Sequence, residues 1–288
     1  MEFVKMHGLG NNYIIVNQLN QPGNVFGEEV YPELARKVSD VNFGIGSDGL
    51  ILICPSQVAD FRMRIFNKDG SEGQSCGNGL RCVAKLLYDQ RFVENSSFSI
   101  ETLGGVVTVE VETGPDRLVR MVNVNMGKPG LLKGRIPMAG DPFETAIDEP
   151  HLFDGKEYRL TCLFMGNPHA ILFVEDVHAF PLEEIGPVIE HSPLFPERVN
   201  VGIAQVKDKS GNELYYRVWE RGSGITMACG TGACASAVAA VLNRLLDPEK
   251  PITVHLPGGD LFIRFDAEGN VWKRGEATYI CCGEYFFE

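Results

Sequence analysis

The most constraining feature of this chain is that its second half repeats motifs of its first half in the same order. Arg64-Ile-Phe-Asn67 aligns with Arg217-Val-Trp-Glu220, and Cys76-Gly-Asn-Gly79 aligns with Cys229-Gly-Thr-Gly232. Both matches have an offset of 153 residues, as Cys76 and Cys229 show. Motifs that recur in order at a constant spacing indicate a duplicated structural unit. The sequence therefore predicts two homologous halves.

Two further matches lie upstream of these motifs. Gly10-Asn11 matches Gly166-Asn167 at an offset of 156 residues. Val41-Asn-Phe-Gly-Ile45 matches Val199-Asn-Val-Gly-Ile203 at an offset of 158 residues. The three offsets differ by only a few residues, so the duplication is expected to extend over most of each half.

The repeat also suggests where the halves meet. We place an N-terminal half at residues 1–122 and a C-terminal half at residues 123–275, so that each half carries one cysteine motif. The remaining segment, 276–288, lies beyond the second repeat and reads as a strand. We expect this C-terminal strand to return to the first half.

Hydrophobic periodicity predicts many short strands and two helices. Residues 78–90 place apolar side chains at helical spacing, and residues 231–246 are small and apolar on every face, as in an enclosed helix. The strand candidates are rich in β-branched and aromatic residues: 98–111 with a turn at Gly104-Gly105, 117–124, 170–174, 213–219, 260–265 and 276–281. Strands in runs with few helices between them favour an α+β fold over a Rossmann order. Each half is expected to contain one main helix.

Charge narrows the class of partner. The chain has 26 Lys and Arg against 38 Asp and Glu, a formal net charge of -12, and a pI near 5.0. Nucleic acids and anionic membranes repel such a protein, so neither is expected as a partner. A small metabolite is the expected partner. The N-terminus lacks a secretory pattern, and no stretch approaches the roughly 18 apolar residues of a membrane span. We expect a cytoplasmic protein; the sequence is also compatible with a homodimer.

The chain has eight cysteines, and in the cytoplasm such thiols stay reduced and do not form disulfides. Their roles must therefore be sought elsewhere. Two of them, Cys76 and Cys229, occupy equivalent positions in the repeat. The other six have no counterpart at the repeat offset, and we expect them to fill the core as small hydrophobic residues: Cys54, Cys82, Cys162, Cys234, Cys281 and Cys282.

The repeated Cys-Gly-[Asn/Thr]-Gly motif comes directly before each predicted helix. Asn78 and Thr231 are expected to be the N-cap residues, because their side chains can accept hydrogen bonds from backbone N–H groups of the first turn. A thiol beside a helix N-terminus is stabilised as a thiolate by the helix dipole and the free N–H groups. The same N–H groups can bind a carboxylate, and the glycines permit its close approach.

Two such halves facing one cleft would place one cysteine on each side of a substrate. A thiolate on one face could remove a proton from carbon while a thiol on the other face delivers one, which inverts the stereocentre. We therefore predict that Cys76 and Cys229 are an acid–base pair.

Three competing motifs predict other chemistry less well. Gly44-Ile-Gly-Ser-Asp-Gly49 fits a dinucleotide-binding pattern, but a strand-like segment follows it where a helix is needed. Gly73-Gln-Ser-Cys-Gly77 fits a hydrolase elbow, but the repeat preserves its cysteine and places Ala228 at its serine. Pairing Cys76 with Cys82, or Cys229 with Cys234, gives spacings unlike those of zinc sites.

The ordered motifs identify a family that this chain resembles. They are Lys5-Met-His-Gly-Leu-Gly-Asn11, Phe66-Asn67, Cys76-Gly-Asn-Gly79, Gly166-Asn-Pro-His169, Val199-Asn200, Glu220-Arg-Gly-Ser-Gly224 and Cys229-Gly-Thr-Gly232. In this order they resemble diaminopimelate epimerase, a cofactor-independent isomerase of the bacterial lysine and cell-wall pathway. The resemblance implies two pseudo-symmetric halves, each a curled and mostly antiparallel sheet around a central helix. It also implies epimerisation of LL-2,6-diaminopimelate to the meso form without pyridoxal phosphate, another cofactor or a metal.

The resemblance assigns a role to each matching residue. It makes Cys76 and Cys229 the catalytic acid and base, and it makes His169 and Glu220 groups that adjust the cysteine pKa values. The residues that it implies for substrate binding are Asn11, Asn67, Gly77, Asn78, Asn167, Asn200, Glu220, Arg221, Gly230 and Thr231. One departure is Gly49, where some family members have a larger amide, so a contact from Gly49 could come only from its backbone.

Two other functions remain open from the sequence. A racemase of another amino acid, such as proline, would use the same pair of thiols. The charged side chains of Glu220 and Arg221 favour a substrate with a second charged end. A non-catalytic module that binds metal or senses redox state would also explain a thiol-rich chain.

Overall fold

The computed structural model describes residues 1–19 and 26–287. Residues 20–25, inside the predicted first half, and Glu288, the last residue of the predicted C-terminal strand, lie outside the described residues. Within the described ranges, no helix is long and apolar enough to cross a membrane.

The described residues of the first part of the chain form eight strands and two helices. In chain order they are β1 (Glu2–Gly8), β2 (Asn11–Asn17), α1 (Tyr31–Ser39), β3 (Gly49–Cys54), β4 (Phe61–Asn67), β5 (Glu72–Gly73), α2 (Gly77–Asp89), β6 (Ser97–Thr102), β7 (Gly105–Thr113) and β8 (Val119–Asn125).

The second part follows the same alternation. Its elements are β9 (Ala146–Phe153), β10 (Lys156–Phe164), β11 (Pro168–Phe173), α3 (Leu182–Glu190), β12 (Asn200–Asp208), β13 (Glu213–Glu220), β14 (Gly224–Ile225), α4 (Gly230–Leu242), β15 (Ile252–Leu256), β16 (Gly259–Phe265), β17 (Val271–Gly275) and β18 (Thr278–Glu284).

The chain separates into two compact units. One unit comprises Met1–Asn125 with Arg274–Glu288, and the other comprises Met126–Lys273. In the first unit, β18 pairs antiparallel with β1. In the second unit, β9 pairs antiparallel with β10. We retain 1–122 and 123–275 as our proposal for the repeat itself, since compactness alone does not define a duplication.

Both units use the same strand order around their helices. In the first unit, β2 and β3 are parallel, as are β4 and β6, while the other pairs that link β1 to β8 are antiparallel. In the second unit, β11 and β12 are parallel, as are β13 and β15. The prediction of an α+β fold from two similar, mostly antiparallel halves is confirmed.

A central helix lies against several strands in each unit. Helix α2 contacts β1, β2, β4, β7 and β8, and α4 contacts β10, β11, β12, β13, β15 and β16. Ten of the thirteen α2 residues and nine of the thirteen α4 residues are buried. The strands therefore curl around these helices, and the all-apolar pattern of α4 follows from its enclosure.

Each unit contains the predicted main helix and, among its described residues, a second helix that the sequence did not predict. Parallel neighbours need a crossover connection, and a helix usually supplies it. Helix α1 connects β2 to β3, and α3 connects β11 to β12. We did not predict α3 because it contains Gly186-Pro187, and glycine and proline together normally indicate a loop.

Several predicted boundaries also shift. Helix α4 ends at Leu242 and not near 246, because the Asn243 side chain donates to Ala239 O at 2.8 Å and Arg244 adopts φ 57°. The predicted strand 98–111 is a hairpin whose turn is Leu103-Gly104, since Gly105 already pairs with Thr102. The remaining strand candidates are found with displaced ends.

Strand register corrects one part of the repeat. Tyr13 pairs with Gly49 across β2 and β3, and His169 pairs with Asn200 across β11 and β12. Tyr13 and His169 are equivalent at the offset of 156 residues, so Gly49 is the structural counterpart of Asn200. The match of Val41–Ile45 with Val199–Ile203 is therefore wrong as a structural equivalence, because 41–45 lies in the connection before β3.

We expect Gly186→Ala to destabilise the protein. A Cβ at this position would lie 2.7 Å from Trp219 Cγ, and the rigid indole cannot yield as a flexible side chain would. Overpacking costs about 1–3 kcal/mol, which should exceed the roughly 1 kcal/mol that alanine gains over glycine in a helix. Urea unfolding followed by circular dichroism measures the change.

The double variant Gly186→Ala/Trp219→Leu is the matched control. If contact with the indole causes the loss, Gly186→Ala should cost less in the Trp219→Leu background than in the natural chain. An equal or greater cost in that background would contradict this explanation.

Candidate active site

Each central helix begins at a cysteine that is its own N-cap. Cys76 and Cys229 have extended backbones, with φ/ψ of -143°/107° and -109°/106°. Gly79 N donates to Cys76 Sγ at 3.4 Å, and Gly232 N donates to Cys229 Sγ at 3.3 Å. Both sulfur atoms therefore lie at the positive end of a helix dipole.

The prediction that Asn78 and Thr231 are the N-caps is wrong. Each lies inside the first turn, as the second residue of α2 or α4, after Gly77 or Gly230. Only a residue with non-helical backbone can be the cap, and the preceding cysteine has that backbone. The motif thus places the sulfur itself, and not the polar side chain, over the unpaired N–H groups.

Unit two gives Cys229 a buried environment with one acidic neighbour. The side chain is only 4% exposed, and Thr231 Oγ1 lies 3.4 Å from Sγ. Burial raises the pKa of Cys229 strongly and the charge of Glu220 raises it further, while Thr231, Gly232 and Lys273 oppose the shift. The neutral thiol is therefore the favoured form of Cys229.

Glu220 lies at the end of β13 and acts directly on this thiol. Burial raises the pKa of the Glu220 carboxyl, and hydrogen bonds with Thr226 and Cys229 partly oppose that shift. The Thr226 hydroxyl donates to Glu220 Oε1. Thr226 was missed from the sequence, where a threonine in a short connection gives no signal.

Other predicted residues of unit two form a hydrogen-bonded group. His169 and Asn167 are joined by a 2.7 Å hydrogen bond from the ring Nε2 to Oδ1. Asn200 donates from Nδ2 to Pro168 O at 2.9 Å and accepts Arg221 N at Oδ1, also at 2.9 Å. The exposed Arg221 side chain donates from Nη1 to Glu197 O at 3.0 Å. Asn200 thus joins the backbone at Pro168 to the backbone at Arg221.

His169 is neutral in the folded chain. Burial lowers its pKa from 6.5 to about 3, and the positive charge of Arg221 contributes. Because the Asn167 Oδ1 atom accepts, Nε2 carries the proton; within the described residues Nδ1 has no hydrogen-bond partner. The structure shows His169 orienting Asn167, whereas its effect on a cysteine pKa stays a prediction.

Glu190 supports the turn that follows Glu220, although the sequence gave no reason to select it. Its carboxylate is 2% exposed and accepts Trp219 Nε1 at 2.7 Å and Gly222 N at 3.0 Å. Arg198 Nη1 lies 3.7 Å away. This buried carboxylate therefore fixes both sides of the segment that carries Glu220 and Arg221.

The predicted amides of unit one lie at a turn, at a strand end and in a helix. Asn11 follows a tight turn in which Leu9 and Gly10 have φ of 57° and 91°. The exposed Asn67 ends β4 and donates from Nδ2 to Ser71 Oγ at 3.0 Å. Asn78 is buried, and its Oδ1 accepts Arg81 Nη1 at 2.9 Å.

Gly49 leaves no room for a side chain in this backbone. A Cβ there would lie 2.5 Å from Phe66 O, which is a backbone atom that cannot move aside alone. A larger side chain at this position would therefore need a displaced strand. A backbone contact from Gly49 to a substrate stays a prediction.

Tyr13 is a third residue that the sequence did not indicate. Its side chain is 4% exposed, and its hydroxyl lies 3.1 Å from Cys76 Sγ. Burial raises the pKa of Tyr13 well above its usual value, and the neighbouring Cys76 adds to the shift. Buried phenols normally find a hydrogen-bond partner, but sequence alone cannot show which one.

The remaining cysteines differ in their surroundings. The expectation of core packing is confirmed for Cys82, Cys162 and Cys234, and burial raises the pKa of Cys82 to about 12. It is wrong for Cys281 and Cys282, which are exposed because β18 is solvent-accessible along its length. Cys54 is only half-buried at the end of β3. All eight cysteines are free, and the described residues contain no group of three or more acidic, His or Cys side chains arranged to hold a metal.

Comparison with known sequences identifies close relatives. The sequence profile described as diaminopimelate epimerase matches residues 3–132 and 161–280. Proteins named diaminopimelate epimerase from Bacillus cereus and Bacillus cytotoxicus are each 52% identical to this chain over 286 residues. The alignments cover 99% of this chain and 97% of each relative.

Solved structures share the fold at lower identity. A phenazine biosynthesis protein of the PhzF family from Bacillus anthracis is 18% identical, with a TM-score of 0.71 over 100% of this chain and 99% of that chain. A hydroxyproline epimerase from Agrobacterium vitis, with bound trans-4-hydroxy-L-proline, is 16% identical with a TM-score of 0.69. That alignment covers 98% of this chain and 91% of the other chain. At such identities the likeness concerns the fold alone.

The buried His169 should make stability depend on pH. Its folded pKa of about 3 lies below the unfolded value of 6.5, so the contribution is complete above 6.5 and is lost as pH falls. Between about pH 7 and about pH 5.5, which stays above the pI, the loss should be about 1 kcal/mol. We expect His169→Gln to remove this part of the pH dependence, as measured by urea unfolding at both pH values.

His178→Gln is the matched control, because His178 is exposed in the same unit. This variant should retain the pH dependence of the natural chain. An unchanged pH dependence in His169→Gln would show that His169 is protonated at little cost in the folded state.

Proposed function

We propose that this chain, which belongs to the diaminopimelate epimerase family, inverts one α-carbon of LL-2,6-diaminopimelate to give the meso form. The observation that carries the proposal is the pair of cysteines that cap equivalent helices in the two units. A relative named diaminopimelate epimerase aligns over 99% of the chain at 52% identity, which supports the choice of substrate. The product would serve lysine and peptidoglycan precursor synthesis.

The proposed chemistry needs only the two thiols. One cysteine, as thiolate, takes the α-proton and becomes a thiol, while the electron pair stays on the carbon and its carboxylate. The other cysteine, as thiol, gives a proton to the opposite face and becomes a thiolate. Atoms and charge balance without a cofactor, and the reverse reaction uses the same groups with exchanged roles.

The helix N-termini suit the reacting carboxylate. The first N–H groups of a helix have no partner within the helix, so those of Gly77 and Asn78 in α2, and of Gly230 and Thr231 in α4, can donate to an anion. Negative charge grows on this carboxylate as the α-proton leaves. Donors fixed in advance stabilise that charge without reorganising.

The other end of the substrate is proposed to bind polar side chains. Arg221 can pair with a carboxylate through two parallel hydrogen bonds, and Glu220 can accept from an ammonium group. The amides proposed to complete the site are those of Asn11, Asn67, Asn167 and Asn200. The Asn200 amide already holds the Arg221 backbone, so we propose that it acts mainly by positioning Arg221.

The proposal places the protein in the cytoplasm, where thiols stay reduced. The net charge of -12 supports a small-molecule partner over nucleic acid or a membrane. A homodimer is compatible with the proposal but is not needed for the chemistry. A racemase for proline is the alternative within the same chemistry, although Glu220 and Arg221 would have no charged partner there.

We expect Cys76→Ala and Cys229→Ala each to reduce steady-state epimerisation of diaminopimelate by about 100-fold or more, since general acid–base groups contribute about that factor. The exposed Cys282→Ala is the matched control and should keep its activity. Diaminopimelate, proline and glutamate are tested side by side by separating the product stereoisomers.

Full activity in either single variant would contradict the two-thiol mechanism. Turnover of proline or glutamate without turnover of diaminopimelate would refute the proposed substrate. Stoichiometric zinc bound through Cys76 or Cys229 in the purified protein would instead support the metal-binding alternative.

A further inference from the structure

The two capping cysteines differ in the groups that contact their sulfur atoms. Thr231, two residues after Cys229, places its hydroxyl 3.4 Å from that sulfur. Asn78 occupies the same position after Cys76, but its Oδ1 accepts from Arg81. In unit one the hydroxyl on the sulfur comes instead from Tyr13 of β2, at 3.1 Å.

This phenol is specific to one unit. At the offset of 156 residues the counterpart of Tyr13 is His169, which bonds to Asn167. Unit two has its own buried tyrosine, Tyr216 of β13, but among the described residues its hydroxyl has no hydrogen-bond partner. At the offset of 153 residues the counterpart of Tyr216 is Met63. Among the described residues, Cys229 therefore has only the hydroxyl of Thr231 near its sulfur, and no phenol bonds to it as Tyr13 does to Cys76.

The direction of this bond depends on the state of the sulfur. A thiolate has no proton to give, so the bond must then run from the tyrosine O–H to the sulfur. Burial raises the pKa of Tyr13 well above its usual value, which keeps the phenol protonated as a donor. Hydrogen bonds to a charged acceptor are stronger than neutral ones. The contact consequently stabilises the thiolate more than the thiol.

We propose that Tyr13 is a positioning residue that holds Cys76 as the thiolate of the resting enzyme. The proposal rests on the two-thiol function above, and it assigns the resting roles that the repeat leaves equal. Cys76 then begins as the base and Cys229 as the acid. The half-buried position of Cys76 and the buried position of Cys229 agree with this assignment.

Other titratable groups also face this pair. Cys82 of α2 and Asp48, in the segment before β3, both act on Tyr13. Arg81 acts on Cys82, whose pKa burial raises to about 12, so Cys82 stays a neutral thiol near neutral pH. All three groups remain in place when only the phenol oxygen is removed. Tyr13→Phe therefore isolates the hydroxyl and keeps the ring in the core.

The first test measures alkylation of Cys76 by iodoacetamide as a function of pH, using the full chain. The tryptic peptide 69–81 contains Cys76 as its single cysteine, and peptide 275–288 carries the exposed Cys281 and Cys282 as an internal reference. In Tyr13→Phe we expect alkylation of Cys76 near neutral pH to be about tenfold slower, because a hydrogen bond to a charged group contributes that factor. The midpoint should move to higher pH, and the reference peptide should not change.

The second test follows kcat/KM for diaminopimelate across the same pH range. Tyr13→Phe should lose about tenfold near neutral pH and approach the natural chain at alkaline pH, where the thiolate forms without help. Tyr31→Phe is the matched control: Tyr31 is buried in the same unit, and its hydroxyl bonds to Gln18 and Phe26 and not to a cysteine. Tyr31→Phe should not shift the pH dependence of Cys76 alkylation or of kcat/KM, even if it lowers the stability of the protein.

The outcomes separate this proposal from the function on which it rests. An alkylation profile of Cys76 that coincides in Tyr13→Phe and the natural chain would overturn the role of Tyr13. A loss of kcat/KM that is equal at every pH would also overturn it, since that indicates packing alone. A shifted alkylation profile in a chain that does not epimerise diaminopimelate would support the role of Tyr13 and refute the proposed function.

Discussion

The hydrogen bond from the third residue of each central helix to a cysteine sulfur is the interaction on which the site depends. Gly79 N and Gly232 N donate to Cys76 and Cys229, so the atom that caps each helix is also the atom that we propose to react. A capping side chain is held over the first turn by the N–H group that it accepts. The fold therefore fixes each sulfur, and the strands that curl around α2 and α4 fix the helices.

The duplication supplies two thiols, but chemistry at a stereocentre needs them in different protonation states. The two thiols have neighbours that the repeat does not share, and we propose that these neighbours make the difference. Cys229 is buried beside Glu220, which favours the thiol, whereas the Tyr13 hydroxyl lies 3.1 Å from Cys76 Sγ. Divergence between the halves has thus acted around the conserved cap and not on the cap itself. This view explains why sequence equivalence and chemical equivalence do not coincide here.

The sequence revealed the parts of the site that depend on short motifs. The two cysteine turns, the helices after them and the α+β class all follow from local spacing and composition. The cap assignment failed because Asn78 and Thr231 are good caps only if the helix starts after them, and backbone geometry starts it one residue after each cysteine. The repeat was misaligned at Gly49 and Asn200. We aligned 41–45 with 199–203 by sequence similarity, whereas the strand pairing makes Gly49 the counterpart of Asn200.

Contacts between distant segments could not be predicted at all. Tyr13 and Cys76 are 63 residues apart, and Glu190 meets Trp219 across 29 residues. Their partners follow from the packing of strands and helices, which no local pattern encodes. Helix α3 shows the same limit, because Gly186-Pro187 reads as a break until the parallel strands on either side require a crossover.

The central claim is that one thiol removes a proton from one face while a second thiol delivers a different proton to the other. The most direct measurement is epimerisation of LL-2,6-diaminopimelate in deuterated water, stopped early, with both isomers isolated and their α-carbons examined by NMR. The account predicts deuterium at the inverted α-carbon of the meso product and almost none in the recovered substrate. Product that keeps the original α-hydrogen, or substrate that gains deuterium as fast as product forms, would contradict it.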